Sequence, residues 1–326
     1  MDIHKINHIG VAGAGAWGTA LAQLAAAANC RVTLWAHSEA LVSEINERHV
    51  NSRFLPGRRL NEGVIATGDP GALAEADVVL LVCPAQVLRE TLRKVPVRVP
   101  VAICAKGIER HSGLLMHEVC AQEMPGGRFG MLSGPSFADD VVRGLPCAVT
   151  IAFADLSIAS RLGEALGSAV FRPYASGDVV GVAVGGAVKN VLAIACGIVE
   201  GRGLGESARA AIMTRGFAEM ARFGLALGAK LETLSGLSGF GDLVLTASSR
   251  QSRNFSLGVA LGQGASVNRA GPLAEGAATA PALVRRAREL DIQMPIAEAM
   301  ADIVEGRIDV DAAIRALLSR PLKSEH

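Results

Sequence analysis

The sequence predicts an α/β chain, a doubly wound and mostly parallel sheet followed by an all-α domain, and three observations predict it. Short β-rich runs alternate with helical stretches through the first half. Uninterrupted apolar runs such as Val78-Val79-Leu80-Leu81-Val82 require a strand buried on both faces, the mark of a parallel sheet covered by helices. Beyond about Asp178 strand-like runs nearly vanish, and Ala-, Leu- and Arg-rich helical segments take over. The chain is therefore expected to divide into domains at residues 1–178 and 179–326.

Strands are expected at Ile6–Ala12, Arg31–Trp35, Val64–Thr67, Asp77–Val82, Val99–Ala105, Phe129–Ser133, Cys147–Phe153 and Val170–Tyr174. Helices are expected between several of them, at Thr19–Ala28, Glu39–Arg48, Gln86–Lys94, Gly113–Gln122 and Leu156–Leu166. The second domain reads as helices Val179–Val199, Glu206–Leu227, Asn254–Leu261, Ala278–Leu290, Ile296–Glu305 and Val310–Leu318. Gly228, Gly262 and Gly264 are expected to stop helices as C-caps, and Pro295 to start one, where its fixed φ suits the first turn.

Composition excludes several classes. With 326 residues, half of them apolar, the chain has material for two cores. A formal net charge of +1 lacks the basic excess of a general nucleic-acid binder and the high charge of a disordered chain. The start, Met1-Asp2-Ile3-His4-Lys5, carries an acid before any apolar run and does not read as a signal peptide. Val179–Val199 is long enough to raise a membrane question, but Lys189 and Asn190 at its centre favour a buried helix. Six scattered cysteines without a C-x-x-C pair fit reduced thiols in a cytoplasmic protein. No metal site is expected.

Gly13-Ala14-Gly15-Ala16-Trp17-Gly18 follows the first strand and opens the first helix, and Arg31–Trp35 closes a βαβ unit. Gly13 permits the tight turn, Gly15 lets backbone approach a pyrophosphate, and Gly18 lets helix pack on strand. The phosphates of a dinucleotide would then meet free N–H groups and the positive end of the helix. The second strand ends Leu34-Trp35-Ala36-His37-Ser38, with no acid until Glu39 to accept from a ribose 2′-hydroxyl. His37 can donate to a 2′-phosphate, with Arg53 near in sequence, so NADP(H) is favoured and NAD(H) is usable.

Nicotinamide carries a hydride, so the protein must supply a proton and hold the substrate. Histidine is the usual choice, but the seven lie at 4, 8, 37, 49, 111, 117 and 326, leaving the helical domain only the terminal one. Lysine is scarce, six of 32 basic residues, and Lys189 lies in Val188-Lys189-Asn190-Val191-Leu192, deep in the most apolar segment. Desolvation there lowers the amine's pKa towards the range useful for acid–base work. Lys106 ends a strand where ligands bind in such sheets. Leu132-Ser133-Gly134-Pro135-Ser136-Phe137-Ala138 offers donors at a second strand-to-helix junction, though an ordinary N-cap turn looks the same. Ser252-Arg253-Asn254 at a helix start combines cap, dipole and guanidinium, which suits a phosphate dianion. Asp242, in Gly239-Phe240-Gly241-Asp242-Leu243, cannot favourably face that phosphate; it can orient a lysine or accept from a substrate hydroxyl.

Taken in order, these stretches resemble the bacterial-type NAD(P)-dependent glycerol-3-phosphate dehydrogenase family over nearly the whole chain. The match runs through Gly13–Leu21, Cys104-Ala105-Lys106-Gly107-Ile108-Glu109, Leu132–Ala138, Val188-Lys189-Asn190-Val191, Gly201-Arg202-Gly203-Leu204-Gly205, Gly239–Leu243, Ser252–Asn254 and Glu275-Gly276. The resemblance implies a Rossmann-type sheet with a 6-phosphogluconate-dehydrogenase-like helical domain. It also implies reversible reduction of dihydroxyacetone phosphate to sn-glycerol 3-phosphate, feeding phospholipid synthesis. It assigns proton transfer to Lys189 and substrate binding to Lys106, Gly134, Ser136, Lys189, Asp242, Ser252, Arg253 and Asn254. Cofactor contacts fall on Trp17, His37, Lys106, Ala138, Arg253, Leu273 and Glu275. Ala16 stands where serine is common and His37 where arginine is frequent, and the usual Val-Val before Glu275 is altered around Leu273. The rival readings are a β-hydroxyacid or ketopantoate reductase on the same fold, and a dinucleotide sensor without turnover. Small-residue faces in the second domain would permit a homodimer.

Overall fold

The computed structural model describes residues 5–95, 98–266 and 274–319. Eight strands form one sheet: β1 (His8–Ala12), β2 (Arg31–Trp35), β3 (Val64–Thr67), β4 (Val78–Leu81), β5 (Val101–Ile103), β6 (Phe129–Ser133), β7 (Cys147–Phe153) and β8 (Phe171–Ser176). Their spatial order is β8-β7-β6-β5-β4-β1-β2-β3. Every neighbouring pair is parallel except β6 with β7. All of β1 and all of β4 are buried, as their unbroken apolar runs require. The order departs from β1 in both directions, so the switch point lies between β1 and β4, and a crevice is expected outside their carboxyl ends.

Helices α1 (Ala16–Ala27), α2 (Glu39–Arg48), α3 (Leu88–Lys94), α4 (Met116–Glu123), α5 (Ala138–Val142) and α6 (Leu156–Leu166) accompany the sheet. One apolar cluster joins α1 and α6 to the sheet; a second joins α3, α4 and the sheet's other side chains to the helical half. That half comprises α7 (Val179–Gly201), α8 (Glu206–Ala226), α9 (Leu231–Ser235), α10 (Asp242–Thr246), α11 (Arg253–Gly262), α12 (Glu275–Glu289), α13 (Pro295–Val304) and α14 (Val310–Leu318).

The organising element is α7. Asp178 caps its start, accepting from Gly181 N at 2.8 Å, and every residue from Gly181 to Val199 is buried. Its length and mean hydropathy match a membrane span, yet its apolar window lies wholly inside the fold. A helix apolar all round is a core helix when other helices surround it, and here α8, α10, α11, α12 and α13 do so.

Two pairs of glycines bring α7 and α11 together. A Cβ on Gly258 would sit 2.1 Å from the Ile194 carbonyl oxygen, and one on Gly262 2.6 Å from that of Ile198. Gly197 and Gly201 face them from α7, so the two backbones meet where neither carries a side chain. This crossing fixes where the α11 N-terminus falls relative to Lys189. Gly262 is therefore a packed helical residue and not the expected stop; Gly264, at φ +92°, turns the chain beyond it. Gly228, at φ +88°, follows the end of α8, and Pro295 does open α13.

Other departures are local. An antiparallel hairpin, Val50–Asn51 with Leu55–Arg59, was not expected, because Pro56, Gly57, Arg58 and Arg59 break any apolar alternation. The strand expected over Val99–Ala105 spans only Val101–Ile103, leaving Lys106 in the loop beyond it. The last helix-bearing cofactor segment begins at Glu275 instead of Ala278, which places that carboxyl in the first turn of α12.

Candidate active site

The glycine loop divides its three glycines by task. A Cβ on Gly13, at φ +123°, would lie 2.4 Å from the Val82 carbonyl oxygen, and one on Gly18 would lie 1.8 Å from that of Gly13. Nothing stands within 4 Å of a Cβ at Gly15, the residue that caps α1. The fold itself demands the outer two glycines, while the middle one borders open space at a helix N-terminus, where a phosphate is favoured. Trp17 is half-buried beside it, its indole Nε1 buried and without a partner. His37 is exposed beyond β2, its ring 4.5 Å from that of Trp35.

A second centre lies where β5, β6, α7 and α10 converge. Asp242, fully buried at the start of α10, divides its two oxygens between two lysines: Oδ1 is 2.6 Å from Lys189 Nζ and Oδ2 is 2.7 Å from Lys106 Nζ. Lys189 also donates to Thr246 Oγ1 at 2.9 Å, and Thr246 in turn donates to Asp242 Oδ1 at 3.2 Å. Ser133 Oγ reaches Asp242 Oδ2 at 3.4 Å from the end of β6. The carboxylate thus aims both amines, the first of the two roles open to it from sequence.

The electrostatics of this cluster follow from one carboxylate serving two ammonium groups. Burial is the largest influence on Lys189 and lowers its pKa to about 7, with repulsion from Lys106 adding to it and Asp242 opposing. Burial pushes Asp242 the other way, but the two lysines prevail and hold its carboxyl below its ordinary value. Asp242 therefore stays ionised while Lys189 can gain or lose a proton near neutrality.

The α11 segment supplies the next wall. Ser252 is buried and spends its hydroxyl on the cap, accepting from Phe255 N at 3.2 Å. Asn254 is buried too; it donates to Asn190 Oδ1 and accepts from Gly276 N, both at 2.9 Å. Asn190 Nδ2 points on to the Lys106 carbonyl oxygen at 3.5 Å. Of the three residues expected to grip a phosphate, Arg253 alone is exposed. Ser136 Oγ donates to the Gly134 carbonyl at 3.1 Å, and Gly134 packs so closely on β7 that a Cβ would lie 2.7 Å from Val149 Cα. Ala138 opens α5, half-buried, and Leu273 lies outside the described residues.

Glu275 closes the crevice from α12. Its Oε1 accepts from Ala85 N at 3.1 Å, tying the helical half to the loop after β4. Its Oε2 is buried without a partner, as is Thr279 Oγ1 one turn along. Burial raises the Glu275 pKa against the pull of the Ala85 N–H and of Arg253. A Cβ on Gly107 would sit 3.0 Å from Thr279 Oγ1 and 3.8 Å from Glu275 Oε2, so both orphaned oxygens border that glycine. Buried polar atoms left unpaired call for a ligand or water, and an amide-bearing ring fits this chemistry. Among the described residues no group of three or more His, Cys, Asp or Glu side chains is placed to hold a metal ion.

Sequence reasoning passed over Thr246, Ser133, Thr279 and the bridging part played by Asn190. The signal for Thr246 was its spacing, four residues after Asp242 on one helix face. Thr279 bears the same relation to Glu275.

A glycine loop at a sheet switch point, with a buried lysine–carboxylate cluster at the neighbouring strand ends, defines the class of dinucleotide-dependent oxidoreductases. Comparison with known proteins is specific within that class. The family model described as NAD-dependent glycerol-3-phosphate dehydrogenase N-terminus matches residues 8–159, and its C-terminus counterpart matches residues 178–315. The glycerol-3-phosphate dehydrogenase (NAD(P)+) of Parvibaculum lavamentivorans is 54% identical over 325 residues, covering 97% of this chain and 98% of its own. That of Rhodospirillum rubrum is 54% identical over 329 residues, covering 98% and 94%. The crystal structure of glycerol-3-phosphate dehydrogenase from Coxiella burnetii superposes with a TM-score of 0.91 at 37% identity, covering 97% of this chain and 99% of that one. The chain belongs to the NAD-dependent glycerol-3-phosphate dehydrogenase family.

Proposed function

We propose that this chain reduces dihydroxyacetone phosphate reversibly to sn-glycerol 3-phosphate with Lys189 as the proton donor and acceptor. We also assign residues 1–178 to the dinucleotide and 179–326 to the substrate and catalysis. The observation that carries the reading is the buried Lys189 amine, 2.6 Å from Asp242 and poised near neutrality. When bound, the reduced nicotinamide supplies the hydride to the carbonyl carbon. Lys189 donates its proton to the oxygen that becomes an alkoxide, and Asp242 holds the amine in place. Lys106 neutralises the other carboxylate oxygen and presents a cation at the crevice. Arg253, exposed at the first position of α11, takes the phosphate together with the helix dipole, and Ser252 and Asn254 hold that terminus in shape. Glu275 and Thr279, whose buried oxygens lack partners, would hold the amide end of the cofactor. The exposed His37 and the lack of an acid between the end of β2 and Glu39 favour NADPH over NADH. Six free thiols suit a cytoplasmic enzyme, and we assign its product to glycerophospholipid synthesis.

The direct test is spectrophotometric: NADPH oxidation with dihydroxyacetone phosphate, set against ketopantoate and simple hydroxyacids run in the appropriate direction. Turnover with carboxylates and none with the phosphoester overturns the reading. Arg253→Ala is expected to raise KM for dihydroxyacetone phosphate by about tenfold to a hundredfold, the worth of a charge-assisted hydrogen bond. An unchanged KM places the phosphate elsewhere.

The pH dependence has a fixed sign. Reduction needs the ammonium form of Lys189, so kcat/KM for dihydroxyacetone phosphate is expected to fall as pH rises through about 7. Oxidation needs the neutral amine, so kcat/KM for glycerol 3-phosphate rises through the same inflection. Profiles of equal slope in both directions are inconsistent with lysine as the shuttle.

A further inference from the structure

Asn51 is fully buried on the unexpected hairpin, yet it belongs to no part of the site described above. Its Nδ2 donates to the Ala14 carbonyl oxygen at 3.0 Å and to Thr19 Oγ1 at 2.8 Å. Its Oδ1 accepts from Phe54 N at 3.2 Å, closing the hairpin turn. Thr19 Oγ1 donates to the same Ala14 oxygen at 3.4 Å. The glycine loop is thereby tied to a segment of chain more than thirty residues away. The hairpin has a second anchor, Arg58 to Asp139 at 2.8 Å, at the start of α5.

A trans peptide points its carbonyl and its N–H in opposite directions, and no peptide bond among the described residues is cis. With the Ala14 oxygen drawn inward to Asn51, the Gly15 N–H of the same peptide unit is turned outward. A Cβ built on Gly15 would meet nothing within 4 Å, so there is open space beside this N-cap of α1. We propose that Asn51 is a positioning residue for the cofactor pyrophosphate: it fixes the Ala14–Gly15 peptide so that the Gly15 N–H meets a phosphate oxygen. This rests on the dinucleotide reading of the preceding subsection. It adds a residue that touches no ligand and acts only through the peptide it orients.

The experiment is calorimetric titration of the purified chain and of Asn51→Asp, Asn51→Ala and Thr19→Val. The ligands are NADPH, 2′-phospho-ADP-ribose, which keeps the pyrophosphate, and adenosine 2′-monophosphate, which lacks it. Both Asn51 variants are expected to bind the first two about tenfold or more weakly, the loss of one hydrogen bond to a charged oxygen, and the third within about twofold of the parent. Thr19→Val, which leaves the Asn51–Ala14 bond intact, is expected to change all three by less than about threefold. In turnover, KM for NADPH rises while kcat at saturation stays within about twofold. Unaltered affinities, an equal loss across all three ligands, or failure of both Asn51 variants to fold assigns the residue to stability alone and overturns the proposal. A parent chain that binds no dinucleotide overturns it together with the reading beneath it, whereas a binding parent with unaffected variants overturns the role of Asn51 only.

Discussion

Lys189→Met is expected to abolish turnover while leaving NADPH affinity close to that of the parent. General acid–base catalysis by a positioned side chain contributes about 10²–10⁴-fold, and methionine fills similar volume without a proton to give. The change is also mild for the fold. Lys189 is surrounded by α7 residues that are themselves buried and mostly apolar, so an apolar side chain is at home there. What it does remove is one of two cations on Asp242, and Lys106 remains at 2.7 Å to keep that carboxylate paired. Measured by stopped-flow reduction of dihydroxyacetone phosphate and by NADPH fluorescence titration, the variant separates chemistry from binding. Turnover within tenfold of the parent removes lysine from the reaction.

That lysine was legible in the sequence because burying a charge is expensive: an ammonium amid valine, leucine and alanine has to be explained by a partner. The partner was less legible. Asp242 and Lys189 are 53 residues apart, and only the meeting of α7 with α10 brings them to 2.6 Å. The sheet strands were readable for the same local reason as the lysine, since strands buried on both faces show as continuous apolar runs. The hairpin that carries Asn51 was not, because its stability lies in side-chain bonds to a distant loop and leaves no periodic trace. Ser252 and Asn254 show a subtler limit. Their spacing correctly marked a helix start, but their side chains are occupied in holding that start, by a cap and by Asn190. Residue type and position alone do not distinguish a group that binds from one that shapes the binder.

Asp242→Asn is expected to damage both the fold and turnover, and for two separable reasons. The first is stability. Removing one partner of a buried ion pair costs about 3–5 kcal/mol, because the remaining charge is left uncompensated, and here two lysines lose the same counter-ion. The second is protonation. Asp242 is the group that raises the Lys189 pKa against burial and against Lys106, so without it the amine's inflection moves below about 7. At neutral pH the variant then holds Lys189 neutral, the wrong form for reduction and the right one for oxidation. Reduction is therefore expected to fall by about 10²-fold or more at neutral pH and to recover in part as the pH is lowered. A purely structural role predicts a lower Tm with the inflection unmoved. Comparing pH profiles in the two directions, alongside thermal unfolding of parent and variant, distinguishes these outcomes, since only loss of the carboxylate's field displaces the inflection towards acid.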